Sequence, residues 1–521
     1  MTDFDDPAGL DDRPAALART SAAPPPAASD PGAIPANDEP AMLGPRGDCS
    51  EPTRRSPLVD GATASGEPPA NDPGAPGQEA RVAAQGLELW GGIECTVLRV
   101  GDIWRDQLRE AGHYARIGDL DAVAGLGFRK LRYPVLWEHV APDRPDERDW
   151  RWHDERLGRL RELDIAPVAG LVHHGGGPRY TSLLDPRFPE LLAEHAAEAA
   201  QRYPWIQSWT PVNEPLTTAR FSGLYGHWHP HRRDEASFLR MLVNECRAVL
   251  LSMRAIRRAI PGAELVQTED LGKTFSTAPL AYQADFDNER RWLSLDLLTG
   301  RLDRHHPWWP RLRAAGVAER ELDELSTGDL GPMVIGINYY ITGERFLDHR
   351  LALYPPHLHG GNGRDAYADI EAVRVPLPPR DATGWKARLR ETWERYGPVP
   401  LAVTEAHIGW CPEHEQVRWL LDAWHAATEL RAEGADVRAV TIWSLFGAVD
   451  WNSLLTRRAG HYEPGTFDMR HPSGGPRPTL LAEAARALSE HGTFDHPLAR
   501  RPGWWRGDDR FVITTNRAAT G

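Results

Sequence analysis

The hydrophobic pattern changes abruptly near residue 87. Before it, residues 1–80 are dominated by Ala, Pro, Gly, Asp and Ser with almost no aromatics. So little apolar surface cannot offset ordering entropy, and disorder is expected there. Beyond it, short hydrophobic runs recur at 87–93, 128–135, 165–172, 206–213, 263–268, 333–339, 400–404 and 437–444. Longer amphipathic stretches separate them, which is the signature of repeated βα units. Residues 188–202 are rich in Ala, Glu and Leu, and 237–260 carry apolar positions at helical spacing before Pro261-Gly262 breaks the pattern. Stretches 415–432 and 480–488 behave alike. Eight strand-like runs with interleaved helices predict an α/β fold, a single (β/α)8 TIM barrel with enlarged loops over 81–495, and a C-terminal tail at 496–521. A doubly wound sheet is the alternative. It would usually carry a Gly-rich phosphate turn after its first strand, and here Glu94-Cys95-Thr96 follow instead.

Composition narrows the function. A net charge of −14 argues against nucleic acid and against an anionic membrane surface, since both need clustered Lys and Arg. Cys49, Cys95, Cys246 and Cys411 are too few and too scattered for a disulfide framework or a zinc site. No apolar run reaches the roughly 18 residues of a membrane span. Met1-Thr2-Asp3-Phe4-Asp5-Asp6 is acidic and lacks the apolar core of a secretory signal, so a cytoplasmic location is expected. Twenty tryptophans are many; most serve as core, but such rings also form stacking platforms for sugars.

Barrel enzymes place their chemistry at the C-terminal ends of the strands. Polar residues fall there repeatedly: Glu94, Arg132, His173, His174, Asn213, Glu214, Asn338, Tyr340 and Glu405. Glu214 and Glu405 each end a short β-branched run. Two carboxyls on separate strand ends of one barrel are what a retaining glycosidase requires, one held protonated and the other ionised.

Several motifs extend this picture. Thr210-Pro211-Val212-Asn213-Glu214-Pro215 resembles the Thr-x-x-Asn-Glu-Pro acid/base motif of glycoside hydrolase family 1, the β-glucosidase and β-galactosidase family. Val403-Thr404-Glu405 resembles its nucleophile motif, but continues Ala406-His407 where the family has Asn-Gly. Gly336-Ile337-Asn338-Tyr339-Tyr340, Leu131-Arg132-Tyr133-Pro134, His173-His174 and Trp443-Ser444-Leu445 followed by Asp450-Trp451 resemble further family motifs, with Asp450 replacing a glutamate. Glu94 stands where the family has a glutamine.

The resemblance implies a divergent, metal-free and cofactor-free β-glycosidase acting on a carbohydrate substrate. Glu214 would be the acid/base and Glu405 the nucleophile, kept ionised by Arg132 and Tyr340. Asn213 would meet the sugar 2-hydroxyl, His174 another hydroxyl, and Trp443 would stack under the ring. Asp450 and Trp451 would grip the far edge, with Asn338 and Glu94 completing the set. The departures at Glu94, Ala406, His407 and Asp450 motivate two rivals. One is a sugar-binding scaffold that lost turnover; the other is a transglycosidase or a partner in nucleotide-sugar (deoxysugar) metabolism.

Three signals are discounted. Gly175-Gly176-Gly177 lacks the Lys-Ser/Thr and helix start of a phosphate loop. His227, His229 and His231 lack the carboxylate frame of a metal site. Glu269-Asp270 offers charge balance and substrate contact equally.

Overall fold

The computed structural model describes residues 86–409, 411–470 and 475–512. The Ala/Pro/Gly-rich segment at 1–80 and residues 513–521 of the tail lie outside the described residues.

All eight runs are strands: β1 (Glu88–Gly92), β2 (Lys130–Pro134), β3 (Ala166–His173), β4 (Ser208–Asn213), β5 (Glu264–Asp270), β6 (Met333–Asn338), β7 (Leu401–Ala406) and β8 (Val437–Ile442). They pair in parallel and in chain order. β1 closes the ring, with Gly91 beside Leu131 of β2 and Glu88 beside Ala439 of β8. The expected barrel is therefore the fold. Its interior holds one layer of Trp90, Val168, Val266, Val334, Ala402 and Ala439, one residue from each of six strands. An eight-stranded barrel is just wide enough for side chains to fill. The other two strands contribute Lys130 and Ser208, whose Nζ and Oγ lie 3.4 Å apart, and the Lys130 ammonium sits 4.6 Å over the Trp90 ring. This end of the barrel is plugged, so a ligand enters from the other.

Helices cover the outside, among them α1 (Phe188–Arg202), α2 (Glu235–Ala259), α3 (Glu413–Ala432) and α4 (Leu480–His491). Helix α2 starts at Asp234, whose side chain accepts from the Ser237 N–H at 2.7 Å, and it ends before Pro261-Gly262 with Arg257 and Arg258 in its last turn. Its buried Leu239, Leu242, Cys246 and Val249 join Leu192 and Ala196 of α1 in the core around the strands. Burial of each large aliphatic side chain stabilises by about 1.5–3 kcal/mol.

Two features depart from a bare barrel. Four short strands (Thr274–Ser276, Arg345–Asp348, His359–Gly361 and Ala366–Glu371) form an accessory sheet in the loops, with its own core of Phe346, Tyr354, Ala368 and Ile370. Residues 496–512 also pack onto α3: the Trp505 ring lies 5.0 Å from Trp419, and Arg418 Nε donates to the Leu498 carbonyl at 2.8 Å. Among the described residues no helix is long and apolar enough to cross a membrane.

Candidate active site

Glu214 follows directly on β4, with a left-handed backbone (φ +47°). This conformation costs a non-glycine residue about 1–2 kcal/mol and persists only where surrounding contacts enforce it. Those contacts come from β5. Glu269 accepts from the backbone N–H groups of Leu216 (2.9 Å) and Thr217 (3.3 Å) and from Ser294 Oγ (2.7 Å). The first turn after Glu214 is thereby pinned, and Glu269 of the ambiguous acidic pair is a helix cap. Its neighbour Asp270 faces the cavity.

Glu405 is aimed by a bulge. Val403 pairs with Ile337 of β6, but Glu405 pairs with the next residue, Asn338, so Thr404 is the extra residue. Such a bulge redirects a side chain at the rim of a barrel. The bulge is held by Thr404 Oγ1 donating to Asn338 Oδ1 (2.6 Å) and by Arg132 Nη1 donating to the Thr404 carbonyl (2.6 Å).

The two carboxyls are 3% and 2% exposed and line one cavity. Their surroundings differ. Glu405 accepts from Arg132 Nη1 at 2.9 Å and from the Tyr340 hydroxyl at 2.5 Å. Glu214 accepts from the neutral amide of Asn338 at 2.6 Å, and His174 Nε2 stands 3.8 Å away. Burial, then the Arg132 charge, hold the His174 imidazole down at about 3, so it is neutral beside Glu214. Burial, then the charge of Glu405, push Glu214 well above the carboxylate range. Burial also pushes Glu405 up to about 7, but Arg132 and Tyr340 pull against it. These surroundings favour the charged form of Glu405 over that of Glu214.

The remaining expected residues divide into two groups, with Asp450 outside both. Glu94, His174, Tyr340, Trp443 and Trp451 line the cavity with the two glutamates. Trp443 stacks on His173 with centroids 5.2 Å apart, carries the Arg132 guanidinium 4.4 Å over its ring, and donates from Nε1 to Glu94 Oε2 at 3.2 Å. The Glu94 carboxyl is raised by burial, with the Thr96 and Trp443 hydrogen bonds opposing. Gly92 makes room for this indole, because a Cβ there would collide with the Trp443 ring.

Arg132, Asn213 and Asn338 are not part of the cavity wall and orient the groups that are. Asn213 Oδ1 is occupied by Arg132 Nη2 (2.8 Å) and Thr268 Oγ1 (2.7 Å), and its amide faces His173 Nε2 at 3.2 Å. Asp450 departs from its expected place at the sugar's far edge. Its carboxylate is fully buried and accepts from Arg105 Nη2 (2.9 Å) and from the N–H groups of Ala459 (3.1 Å), Gly460 (3.1 Å) and His461 (2.7 Å). Those donors saturate it, and it anchors a loop. Two further carboxyls line the cavity: Asp270, whose role the sequence left open, and Glu463, on a two-residue strand pairing with Ala448. Nothing short of the folded loop brings Glu463 inside.

The discounted motifs have structural roles. A Cβ on Gly175 would collide with the Glu138 carboxyl. His231 accepts from the Gly101 N–H at 2.9 Å through Nε2, and its Nδ1 lies 2.9 Å from the Gly226 carbonyl.

No protein-family model matches the chain. It is 23% identical over 392 residues to β-glucosidase 47 of Arabidopsis thaliana, an alignment covering 67% of this chain and 71% of that protein. To β-glucosidase 4 of Oryza sativa subsp. japonica it is 27% identical over 128 residues, 23% of this chain and 26% of the relative. Among solved structures, a family 1 β-glucosidase from Thermotoga maritima superposes with a TM-score of 0.63 at 15% identity, covering 79% of this chain and 99% of that one. A β-glucosidase from the same organism, in complex with deoxynojirimycin, also gives 0.63 at 15% identity, with 78% and 98% covered. The chain is thus similar in sequence to plant β-glucosidases and similar in fold to family 1 glycoside hydrolases.

Proposed function

We propose that the protein is a retaining β-glycosidase acting on β-glucoside- or β-galactoside-type O-glycosidic bonds. The observation that carries this reading is the contrast between two buried carboxyls in one cavity: Glu405 against a guanidinium and a phenol, Glu214 against a neutral amide and a neutral imidazole. In the first step a Glu405 oxygen bonds to the anomeric carbon as the bond to the leaving oxygen breaks, and Glu214 gives that oxygen its proton. In the second, water adds to the anomeric carbon, Glu214 takes the water's proton, and the bond to Glu405 breaks. The sugar leaves with the configuration it brought. The charge that develops on the ring faces the Glu405 carboxylate, and the Trp443 indole offers an apolar face for the ring.

The test is phenolate release from a panel of aryl β-glycosides. Turnover that Glu405→Ala abolishes and azide restores, with an inverted glycosyl azide as product, supports the reading. A product of inverted anomeric configuration from the unmodified protein overturns retention. Binding without release across the panel overturns hydrolysis and favours a sugar-binding barrel.

A further inference from the structure

Among the polar groups of the cavity wall that the reaction above does not use are the neighbours His407 and Glu463. Glu463 is 2% exposed, and its Oε1 has no hydrogen-bond partner. His407 Nε2, also without a hydrogen-bond partner, lies 3.5 Å from Glu463 Oε2. A buried carboxylate with a free acceptor is costly unless a donor completes it. The wall is shaped to admit it, because a Cβ on Gly409 would collide with Glu463 Oε2. The nearby Glu94 has its oxygens committed to the Thr96 N–H (2.9 Å) and the Trp443 indole (3.2 Å). The Asp450 carboxylate is saturated by Arg105 and the 459–461 backbone. Glu463 is thus a wall carboxylate with an oxygen that meets no donor of the protein.

We infer that Glu463, oriented by His407, is a specificity-determining residue that accepts a hydrogen bond from a hydroxyl of a neutral pyranose. It does the work that the resemblance assigned to Asp450. His407 lies two residues beyond Glu405 on the same side of β7's end, which places the pair on the wall next to the nucleophile. The inference rests on the glycosidase reading only for the class of ligand, so it is tested by binding and not by turnover.

The probes are 4-nitrophenyl 1-thio-β-D-glucoside and its 4-deoxy and 6-deoxy analogues, titrated calorimetrically into the full-length protein. The unmodified protein is expected to bind one of the deoxy analogues about 10- to 100-fold more weakly than the parent, the range for a hydrogen bond to a charged group. Glu463→Ala should weaken the parent by a similar factor and leave that analogue's affinity unchanged, so that discrimination disappears. Glu463→Gln, which keeps shape and an acceptor, should retain part of it. Thermal unfolding of each variant reports whether the fold is intact. Discrimination that survives in folded Glu463→Ala overturns the inference, as does the absence of discrimination in the unmodified protein. Failure of aryl glycoside turnover with thioglucoside discrimination intact would overturn the proposed activity alone.

Discussion

Arg132 Nη1 reaches across the barrel from β2 to within 2.9 Å of Glu405 Oε1 on β7, while its Nη2 donates to Asn213 at the end of β4. One planar fork therefore ties together the strand ends that carry both glutamates. Arg132→Ala leaves the Glu405 carboxyl buried without its cation, and a loss of about 3–5 kcal/mol of stability is expected by denaturant unfolding. Arg132→Lys keeps the charge but cannot donate in two directions at once. It should recover part of the stability and little of the activity; recovery of both would show that the fork geometry is unimportant.

Tyr340→Phe removes a hydroxyl donor 2.5 Å from Glu405. In the proposed reaction Glu405 attacks as the anion, and burial pushes its carboxyl up to about 7, so kcat/KM should rise with pH through this range. Removal of the phenol raises Glu405 further, and the acidic limb is expected to move up by about one pH unit. The alkaline limb belongs to Glu214, held well above the ordinary carboxylate range, and should move much less. A pH–rate profile from 5 to 10 in both proteins reads the two limbs separately.

Gly92→Ala drives a methyl group into the Trp443 ring. Overpacking of this kind costs about 1–3 kcal/mol. The indole cannot move without losing the stack on His173 and the bond to Glu94, so sugar affinity should fall alongside the melting temperature. Unchanged affinity in a folded variant would remove Trp443 from the binding wall.

Glu138 bears on stability and not on chemistry. Burial pushes its carboxyl up to about 8, so the folded state binds its proton more tightly than the unfolded chain does. The resulting stabilisation is complete below the ordinary glutamate range and is lost as pH rises through about 8. Glu138→Gln, neutral at every pH, should reduce the fall in unfolding free energy between pH 5 and 9 by roughly 4 kcal/mol. Equal slopes for the two proteins would refute this.

The barrel was legible in the sequence because its strands are buried on both faces and read as short apolar runs, as at 165–172 and 437–444. Helix α2 was legible from its period and its Pro261-Gly262 stop, and the structure places its end at Ala259. Strand-end motifs located Glu214, Glu405, Tyr340 and Trp443 because each sits within a residue or two of a regular element. Loop geometry was not legible. The destination of the Asp450 carboxylate depends on Arg105 and on backbone N–H groups at 459–461, partners distant in sequence or without side-chain identity. Glu463 enters the cavity on a two-residue strand, too short to leave a periodic trace. The accessory sheet escaped notice for the same reason, its strands being three to six residues long within loops.

The Asp450 anchor ties the short strand Ile103–Asp106, which carries Arg105, to residues 459–461, and Glu463 follows only two residues after His461. The two glutamates proposed for bond cleavage sit on barrel strand ends, whereas this part of the wall hangs from a separately fastened appendage. A change confined to that short excursion of chain is therefore expected to alter ligand preference while leaving the strand-end carboxyls where they are.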